Sequence, residues 1–367
     1  MSAVMASPAA SGSAGSVPAD PVRALQHVLY RAAKADPGRR FHALHDKVIR
    51  SDVLWRAWVV VRRNDGAPGI DKTTLAAVEG YGVTRLLDEL ASELREKRYR
   101  PLAARRVLVP KPGSDEMRPL SIPAVRDRIV QAAAKIVLEP VFEADFLPCS
   151  FGFRPRRSAH DALQVLIDEC WQGRRWVVET DIASCFSAIP HDKLMEAVEE
   201  RICDQPVLKL LRAMLRAGVM EDGQVRREAS GTAQGGVISP VMCNVYLHRL
   251  DRAWDERDGV LCRYADDLVV MCWSRSQAEQ ALERLTGLLA ALGLEPKAAK
   301  TRIVHLEVGG GGFDFLGFHH RLARSPGLNG KKQVTFLARW PADKAVQRAR
   351  DRIRELTLRS RMLLPVK

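Results

Sequence analysis

Two short apolar runs that enclose a pair of adjacent acids constrain the fold of this chain more than any other feature. Residues 260–264 and 268–272 are rich in Val, Leu, Cys and Met, and only Ala265, Asp266 and Asp267 separate them. Runs of this kind joined by so short a link predict two antiparallel strands and a tight turn. Two carboxylates at one hairpin tip repel each other and destabilise the fold unless a cation neutralises them.

A third acid follows another β-prone run. Residues 176–180 (WVVET) suit a strand in a sheet, and Asp181 lies at its exit. If this strand neighbours the hairpin, three carboxylates converge. Such a cluster suits Mg²⁺, a hard cation that binds carboxylates together with substrate phosphates, and is typical of two-metal phosphoryl transfer. For the pair Asp266 and Asp267 taken alone, the alternative is an exposed polar turn.

The length, the charge and the cysteine pattern limit the possible functions of the chain. A chain of 367 residues predicts two or three packed lobes. It carries 57 Lys and Arg against 44 Asp and Glu, a net charge of +13, so its surface should attract polyanions such as nucleic acid. The seven cysteines form no CxxC pair, and neither a secretory signal nor a membrane-spanning apolar run is evident, so we expect reduced thiols, a cytoplasmic location and no membrane role.

The basic residues concentrate upstream of the acids. Residues 93–135 hold 11 Lys and Arg against 5 acids. Two extended runs, residues 105–109 and the run ending at Pro123, are joined by a turn rich in Pro and Gly, which predicts a basic hairpin. Lys111 and Arg118 lie seven residues apart across it, so both can project toward one ligand. A solvated basic face is the alternative.

Three further segments have helical patterns. Leu86, Leu87, Leu90 and Leu94 recur at helical spacing, and Ser239-Pro240 is typical of a helix start. Residues 342–358 are predicted to form an amphipathic helix whose basic side chains recur every four residues. Such a helix can follow a phosphate backbone, or its charges can simply be solvated.

Seven sequence blocks, in order along the chain, resemble those of group II intron-type reverse transcriptases, the bacterial intron-encoded proteins. The blocks are RPLSIP and RDR at 118–128, GFRP with Arg157-Ser158 at 152–158, Asp181 with Phe186, QGGVISP at 234–240, RYADD at 263–267, the segment 293–301, and FDFLGF at 313–318. The resemblance covers about residues 40–358, and the shared order makes coincidence implausible.

The resemblance implies an RNA-directed DNA polymerase that copies an RNA template into cDNA from a DNA or RNA primer and dNTPs. It implies two Mg²⁺ ions, with Mn²⁺ able to substitute, held by the carboxylates of Asp181, Asp266 and Asp267 and by the Ile182 carbonyl. Lys300 resembles the lysine that protonates the pyrophosphate leaving group, or is a surface lysine.

Nucleotide and nucleic-acid contacts are implied in the same way. The nucleotide would contact Lys111, Arg118, Gln234 and Phe186, and the Phe186 ring would exclude a 2′-hydroxyl. The two glycines after Gln234 let the backbone approach a ligand closely. The implied template and primer contacts are Arg126, Arg128, Arg154, Arg157, Phe315, Leu316, Gly317, Arg348 and Arg352.

The implied fold is α+β: a right-hand polymerase with fingers, a ferredoxin-like palm of an antiparallel sheet with packed helices, and a partial helical thumb. The expected organisation is a disordered or weakly ordered tail (1–36), fingers (37–175 and 192–235), palm (176–191 and 236–320), and a linker with an incomplete thumb helix (321–367). Relatives continue with more thumb helices and a DNA-binding region, so we expect truncation in the thumb and maturase region.

Two other functions stay open from the sequence. The chain could be an RNA-binding maturase that binds intron RNA during splicing, or a domesticated reverse transcriptase of phage defence. The sequence identifies neither the natural template and primer nor the oligomeric state.

Overall fold

The first part of the chain is mainly helical in the computed structural model, which describes residues 20–110, 117–221, 223–226, 229–231, 235–325 and 333–358. The helices there are α1 (Pro21–Ala35), α2 (His45–Val48), α3 (Ser51–Arg63), α4 (Leu75–Tyr81), α5 (Val83–Arg95) and α6 (Val125–Glu143). Most side chains of α6 are buried, because α1, α2 and α3 all pack on it. In α5 the predicted helical pattern is confirmed, since Leu87, Leu90 and Leu94 are buried and Leu86 is half-buried against the core.

The predicted N-terminal tail is wrong for residues 20–36. Residues 21–35 form α1, and Asp20 caps this helix with its carboxylate. One face of α1 packs against α6 and is made of Val22, Leu25, Leu29 and Ala33. This apolar face provides the burial that stabilises the helix. Residues 1–19 lie outside the described part of the chain.

The predicted basic hairpin is confirmed. Strands β1 (Ala104–Pro110) and β2 (Met117–Ile122) pair in antiparallel register, with Val109 opposite Arg118. The hairpin belongs to a sheet of order β2-β1-β4-β5, in which β4 (Val219–Glu221) runs parallel to β1 and pairs with β5 (Gln224–Arg226). Because β4 lies more than 100 residues after β1, local sequence patterns did not predict this pairing.

The central sheet has the order β6-β7-β3-β8, and all its strand pairs are antiparallel. Its strands are β3 (Trp176–Asp181), β6 (Val260–Tyr264), β7 (Asp267–Cys272) and β8 (Arg302–His305). Side chains alternate between its faces. Val178 and Val270 belong to the core that includes α11 (Ser239–Ala253) and α12 (Arg275–Ala291), whereas Val177 and Val269 belong to the core around α7 (Ala159–Gln172). The predicted antiparallel sheet with packed helices is confirmed.

A third sheet, of order β11-β10-β9, lies beside α7. Its strands are β9 (Phe313–Phe315), β10 (Phe318–Arg324) and β11 (Thr335–Pro341). The expected palm boundary at residue 320 therefore falls inside β10. After β11 comes α13 (Asp343–Leu356), which has no buried residue.

Three helices lie between β3 and β4 along the chain: α8 (Cys185–Ala188), α9 (His191–Glu199) and α10 (Gln205–Arg216). Two short 3₁₀ helices cover Glu256–Asp258 and Ala298–Lys300. Over the described ranges, no helix combines the length and the apolar character needed to cross a bilayer.

Candidate active site

Asp181 and Asp267 face each other across two paired strands. The last residue of β3, Asp181, pairs with the first residue of β7, Asp267. Asp266 lies in the adjoining turn, where its carbonyl accepts a hydrogen bond of 3.0 Å from the N–H of Ile182. The backbone therefore meets the condition on which the convergence of the three acids depends, that the strand ending at Asp181 neighbours the hairpin.

The carboxylates destabilise one another in the absence of a cation. Burial raises the pKa of Asp266, and the charge of Asp181 raises it further. Burial, followed by the charge of Asp181, likewise raises the pKa of Asp267 to about 6. Such a site favours a species that brings positive charge.

Lys300 supplies positive charge within this cluster. Its ammonium Nζ lies 2.6 Å from Asp181 Oδ2 and 3.8 Å from Asp267 Oδ1. Burial opposes the charge on Lys300, but the hydrogen bond to Asp181 and the nearby carboxylates outweigh it and raise the lysine pKa. The ammonium thus lies between two predicted metal ligands and neutralises part of their charge.

The fit of the site to divalent ions rests on its donor chemistry and on this ammonium. Carboxylate oxygens are the ligands that hard divalent cations prefer, and Asp181 and Asp267 already share a cation. Within the described ranges, however, no three Asp, Glu, His or Cys side chains have the arrangement of one metal site. The residue types therefore suit divalent ions, whereas the positions of the side chains place the Lys300 ammonium between the carboxylates.

Asp267→Asn is expected to stabilise the metal-free protein at pH 7. An acid whose pKa is raised on folding destabilises the fold increasingly as pH rises from about 4 to about 6, and fully above that. The side chain of Asp267 is 42% exposed, so solvent screening limits the gain in melting temperature to about 1–3 °C. Thermal melts in EDTA across this pH range measure the effect.

The control for this measurement is Asp168→Asn, which replaces an exposed acid of α7 that does not line the cleft and should melt close to the wild type. A less stable Asp267→Asn protein at pH 7 would contradict the electrostatic argument.

A sharp turn after β3 places Phe186 at the same site. Ser184 has a φ of +47°, which turns the chain from β3 into α8. Gly231 packs against this helix, where a Cβ atom would lie 3.1 Å from Ser187 Cα. Phe186 is half-buried against the core and lines the same cleft as Asp181.

The cleft above the acids has a volume of about 470 Å³. Its other walls include Arg106 of β1, Arg118 of β2 and Arg226 of β5. The charge of Arg118 lowers the pKa of Asp266, although by less than burial raises it. A cleft lined by both carboxylates and guanidinium groups suits a ligand that carries phosphates and accompanying cations.

Two predicted nucleotide contacts, Lys111 and Gln234, lie outside the described residues. Gly235, which follows Gln234, has a φ of +114°, and a Cβ atom there would lie 2.6 Å from the Ser121 carbonyl oxygen of β2. The close approach predicted for this glycine is thus made to the hairpin.

Arg154 does not line the cleft, and its side chain has partners within the protein, so its assignment as a template contact stays a prediction. Its guanidinium is buried and forms an ion pair of 2.7 Å with Glu143. It also donates to the carbonyls of Leu147 and Ser150 at 2.6 and 2.7 Å. These bonds fix the loop after α6.

The other predicted arginines of this region also have partners within the protein. Arg126 pairs with Glu93 at 2.5 Å, and Arg128 is buried and donates to the Ala67 carbonyl at 2.8 Å. Arg157 lies over the ring of Phe151. None of the three lines the acidic cleft. Their assignment as template or primer contacts stays a prediction.

The predicted primer-grip block forms the β9–β10 hairpin. Phe315 is buried in the core, while Leu316 and Gly317 form the turn with φ values of +51° and +81°. Farther along, Arg348 and Arg352 lie exposed on α13. The structure thus leaves Gly317 and these two arginines accessible to a ligand.

Several cleft residues were missed from the sequence: Arg106, His191, Arg226 and Lys297. No sequence signal identified Arg106, because strand alternation places it on the face of Ser121, opposite to the face that carries Arg118. For Arg226 there was none, since β4 and β5 reach the cleft only through the parallel pairing with β1.

Comparison with known proteins relates this chain to reverse transcriptases. The family described as reverse transcriptase (RNA-dependent DNA polymerase) matches residues 109–337. Protein YkfC of Escherichia coli strain K12 is 35% identical over 354 residues, which cover 84% of this chain and 90% of YkfC. Group II intron-encoded protein LtrA of Lactococcus lactis subsp. cremoris is 34% identical over 234 residues, or 63% of this chain and 38% of LtrA.

Among solved structures, a chain of the partial Cas6-RT-Cas1--Cas2 complex aligns with a TM-score of 0.42 and 22% identity, over 68% of this chain and 41% of that chain. In terms of length, this chain spans most of YkfC but well under half of LtrA. The range matched by the family contains the three acids, Phe186 and Lys300.

Proposed function

Because the chain belongs to the reverse transcriptase family of RNA-directed DNA polymerases, in its group II intron branch, we propose that it copies an RNA template into cDNA by two-metal nucleotidyl transfer. The observation that carries this proposal is the register of β3 and β7, which sets Asp181 opposite Asp267 and beside Asp266. Primer, RNA template and dNTPs are the substrates.

Enzymes of this family generally use divalent metal ions, and we assign two Mg²⁺ ions to this site, with Mn²⁺ as a substitute. Asp181, Asp266, Asp267 and the Ile182 carbonyl would hold them. When bound, such ions activate the primer 3′-hydroxyl and stabilise charge on the leaving pyrophosphate.

The remaining side chains position and neutralise the nucleotide. Arg118 lines the same cleft as the acids and can pair with the triphosphate, where a fixed cation stabilises developing negative charge. Lys300 carries its proton at neutral pH as lysines ordinarily do, and its ammonium lies 2.6 Å from Asp181, so we assign it the protonation of the leaving pyrophosphate. The Phe186 ring limits the space beside the sugar.

Primer extension tests the proposal directly. Purified full-length protein is incubated with a DNA primer annealed to an RNA template, dNTPs and Mg²⁺, and the products are separated by size. We expect extension to the end of the template. Absence of extension with both Mg²⁺ and Mn²⁺ would refute the proposed activity.

Binding of primer–template is expected to weaken steeply with salt, because the chain has a net charge of +13 and neutralising phosphates releases counterions. With about four neutralised phosphates, the Kd should rise roughly 100-fold between 50 and 200 mM salt. Fluorescence anisotropy of a labelled duplex measures it.

Substitutions in α13 measure how much of this salt dependence comes from that helix. The double substitution Arg348→Gln and Arg352→Gln should lower the slope of log Kd against log salt by about two. Arg85→Gln, which removes an exposed arginine of α5, serves as the matched control. A salt-independent Kd for the wild type would contradict the predicted phosphate contacts.

We also propose a group II intron retroelement as the source of the gene and its intron RNA as the natural template, a proposal supported by the likeness to LtrA. Sequencing of the flanking DNA tests this, since a catalytic intron RNA should surround the reading frame. Its absence would favour the domesticated alternative.

A further inference from the structure

Arg263 is a charged side chain with no exposed surface, three residues before Asp266. Its Nε and Nη2 donate to the two carboxylate oxygens of Asp251 at 2.7 and 2.5 Å, and Nη2 also donates to Ser150 Oγ at 2.8 Å. A buried ion pair seldom stabilises a fold more than a well-packed apolar pair would. We therefore expect the ion pair of Arg263 and Asp251 to fix the geometry of the site more than to stabilise the fold.

The remaining nitrogen of Arg263 reaches the catalytic turn. Nη1 donates to the Ala265 carbonyl at 3.1 Å. Ala265 has a φ of +57°, a left-handed conformation that is unfavourable for a residue other than glycine and persists only where the surroundings impose it. The Ala265 carbonyl belongs to the peptide that leads into Asp266, so this hydrogen bond fixes the start of that residue.

The opposite side of the turn is held by Gly152. A Cβ atom at this position would lie 2.5 Å from the Ala265 nitrogen, so only glycine allows this approach. The same segment is joined to β6 because the N–H of Phe151 donates to the Arg263 carbonyl at 2.8 Å. The backbone around Ala265 is thus enclosed from both sides.

Asn244 joins the two sides of this enclosure. From α11, its buried side chain accepts a hydrogen bond of 3.0 Å from Arg263 Nη1 and donates one of 2.8 Å to the Gly152 carbonyl. One amide therefore contacts both groups that surround Ala265.

We propose that Arg263 and Asn244 are positioning residues for nucleotidyl transfer. They fix the peptide before Asp266, and through it the direction of the Asp266 carboxylate, before ions and nucleotide bind. The inference rests on the proposed function, since it assigns Asp266 as a metal ligand. Hydrogen bonds that orient ligating carboxylates typically contribute roughly 10- to 100-fold to metal affinity or activity.

The test compares Asn244→Ala and Arg263→Lys with Ser150→Ala. Asn244→Ala removes both bonds of the amide, whereas Arg263→Lys keeps the charge near Asp251 but loses the planar fork. Ser150→Ala removes a hydrogen bond from the same guanidinium without a contact to the turn, so it is the matched control.

The main measurement is Mn²⁺ affinity by electron paramagnetic resonance, with primer–template bound and no dNTP present. We expect Asn244→Ala and Arg263→Lys to weaken Mn²⁺ binding about tenfold, and to shift the Mg²⁺ half-saturation of primer extension similarly. The Kd for primer–template should change less than about twofold. Ser150→Ala should lower the melting temperature while keeping wild-type metal affinity.

The outcomes separate the two proposals. If Asn244→Ala loses stability but keeps wild-type Mn²⁺ affinity and Mg²⁺ dependence, the network is purely structural and the inference is overturned. If Arg263→Lys does not fold, the Mn²⁺ affinity of Asn244→Ala alone decides between a positioning and a structural role. Wild-type protein without extension activity would refute the proposed function itself.

Discussion

Asp266→Asn is expected to reduce primer extension at least about 1,000-fold, the loss typical when a group that acts directly on the reaction is removed. The amide keeps the size of the side chain but carries no charge, so the site loses a ligand for divalent ions. Burial and the charge of Asp181 already raise the pKa of Asp266, which means that its ionised form destabilises the metal-free fold. The variant should therefore melt at or above the temperature of the wild type in EDTA.

This combination distinguishes a catalytic defect from a folding defect. Steady-state extension assays and thermal melts are run on the same preparations, with Asp168→Asn as a control that keeps activity and stability. Binding of primer–template by Asp266→Asn should stay close to wild type, because the duplex is held mainly through phosphate contacts. Extension by this variant at near wild-type rates would exclude Asp266 from the reaction.

The strands that carry the acids could be predicted from sequence because their signals are local. Each strand is a β-prone run with a polar residue at its end, and the hairpin link is too short to allow another topology. The sequence stated the neighbourhood of Asp181 and the hairpin only as a condition, because a pairing between distant strands leaves no local signal. The register of β3 and β7 meets that condition.

The partners of the arginines could not be predicted in the same way. A guanidinium binds a phosphate and a carboxylate with the same donors, so the sequence cannot show that Arg154 pairs with Glu143 inside the protein. Arg263 illustrates the same limit, because its bonds to Asp251 and Asn244 bring together separate elements. For α1 the signal existed in the helical spacing of Val22, Leu25 and Leu29, but the composition of the preceding residues outweighed it.

Phe186→Ala is expected to lower the discrimination between dNTP and rNTP about 100-fold, or roughly 2.7 kcal/mol at 25 °C. The turn at Ser184 places Phe186 on the cleft side of α8, and packing against the core limits movement of the ring. Removing the ring opens space where a 2′-hydroxyl can fit, so kcat/KM for rNTP should rise more than kcat/KM for dNTP falls. Single-nucleotide incorporation with matched dNTP and rNTP measures both values.

Two variants make this measurement specific to the ring. Phe186→Leu keeps part of the volume and should give an intermediate ratio, whereas Trp171→Ala removes an exposed aromatic of α7 that does not line the cleft and should leave the ratio unchanged. A graded response identifies side-chain volume beside the sugar as the cause, since the metal ligands are the same in all four proteins. If Phe186→Ala lowers incorporation of both nucleotides equally, the ring supports the cleft without selecting the sugar.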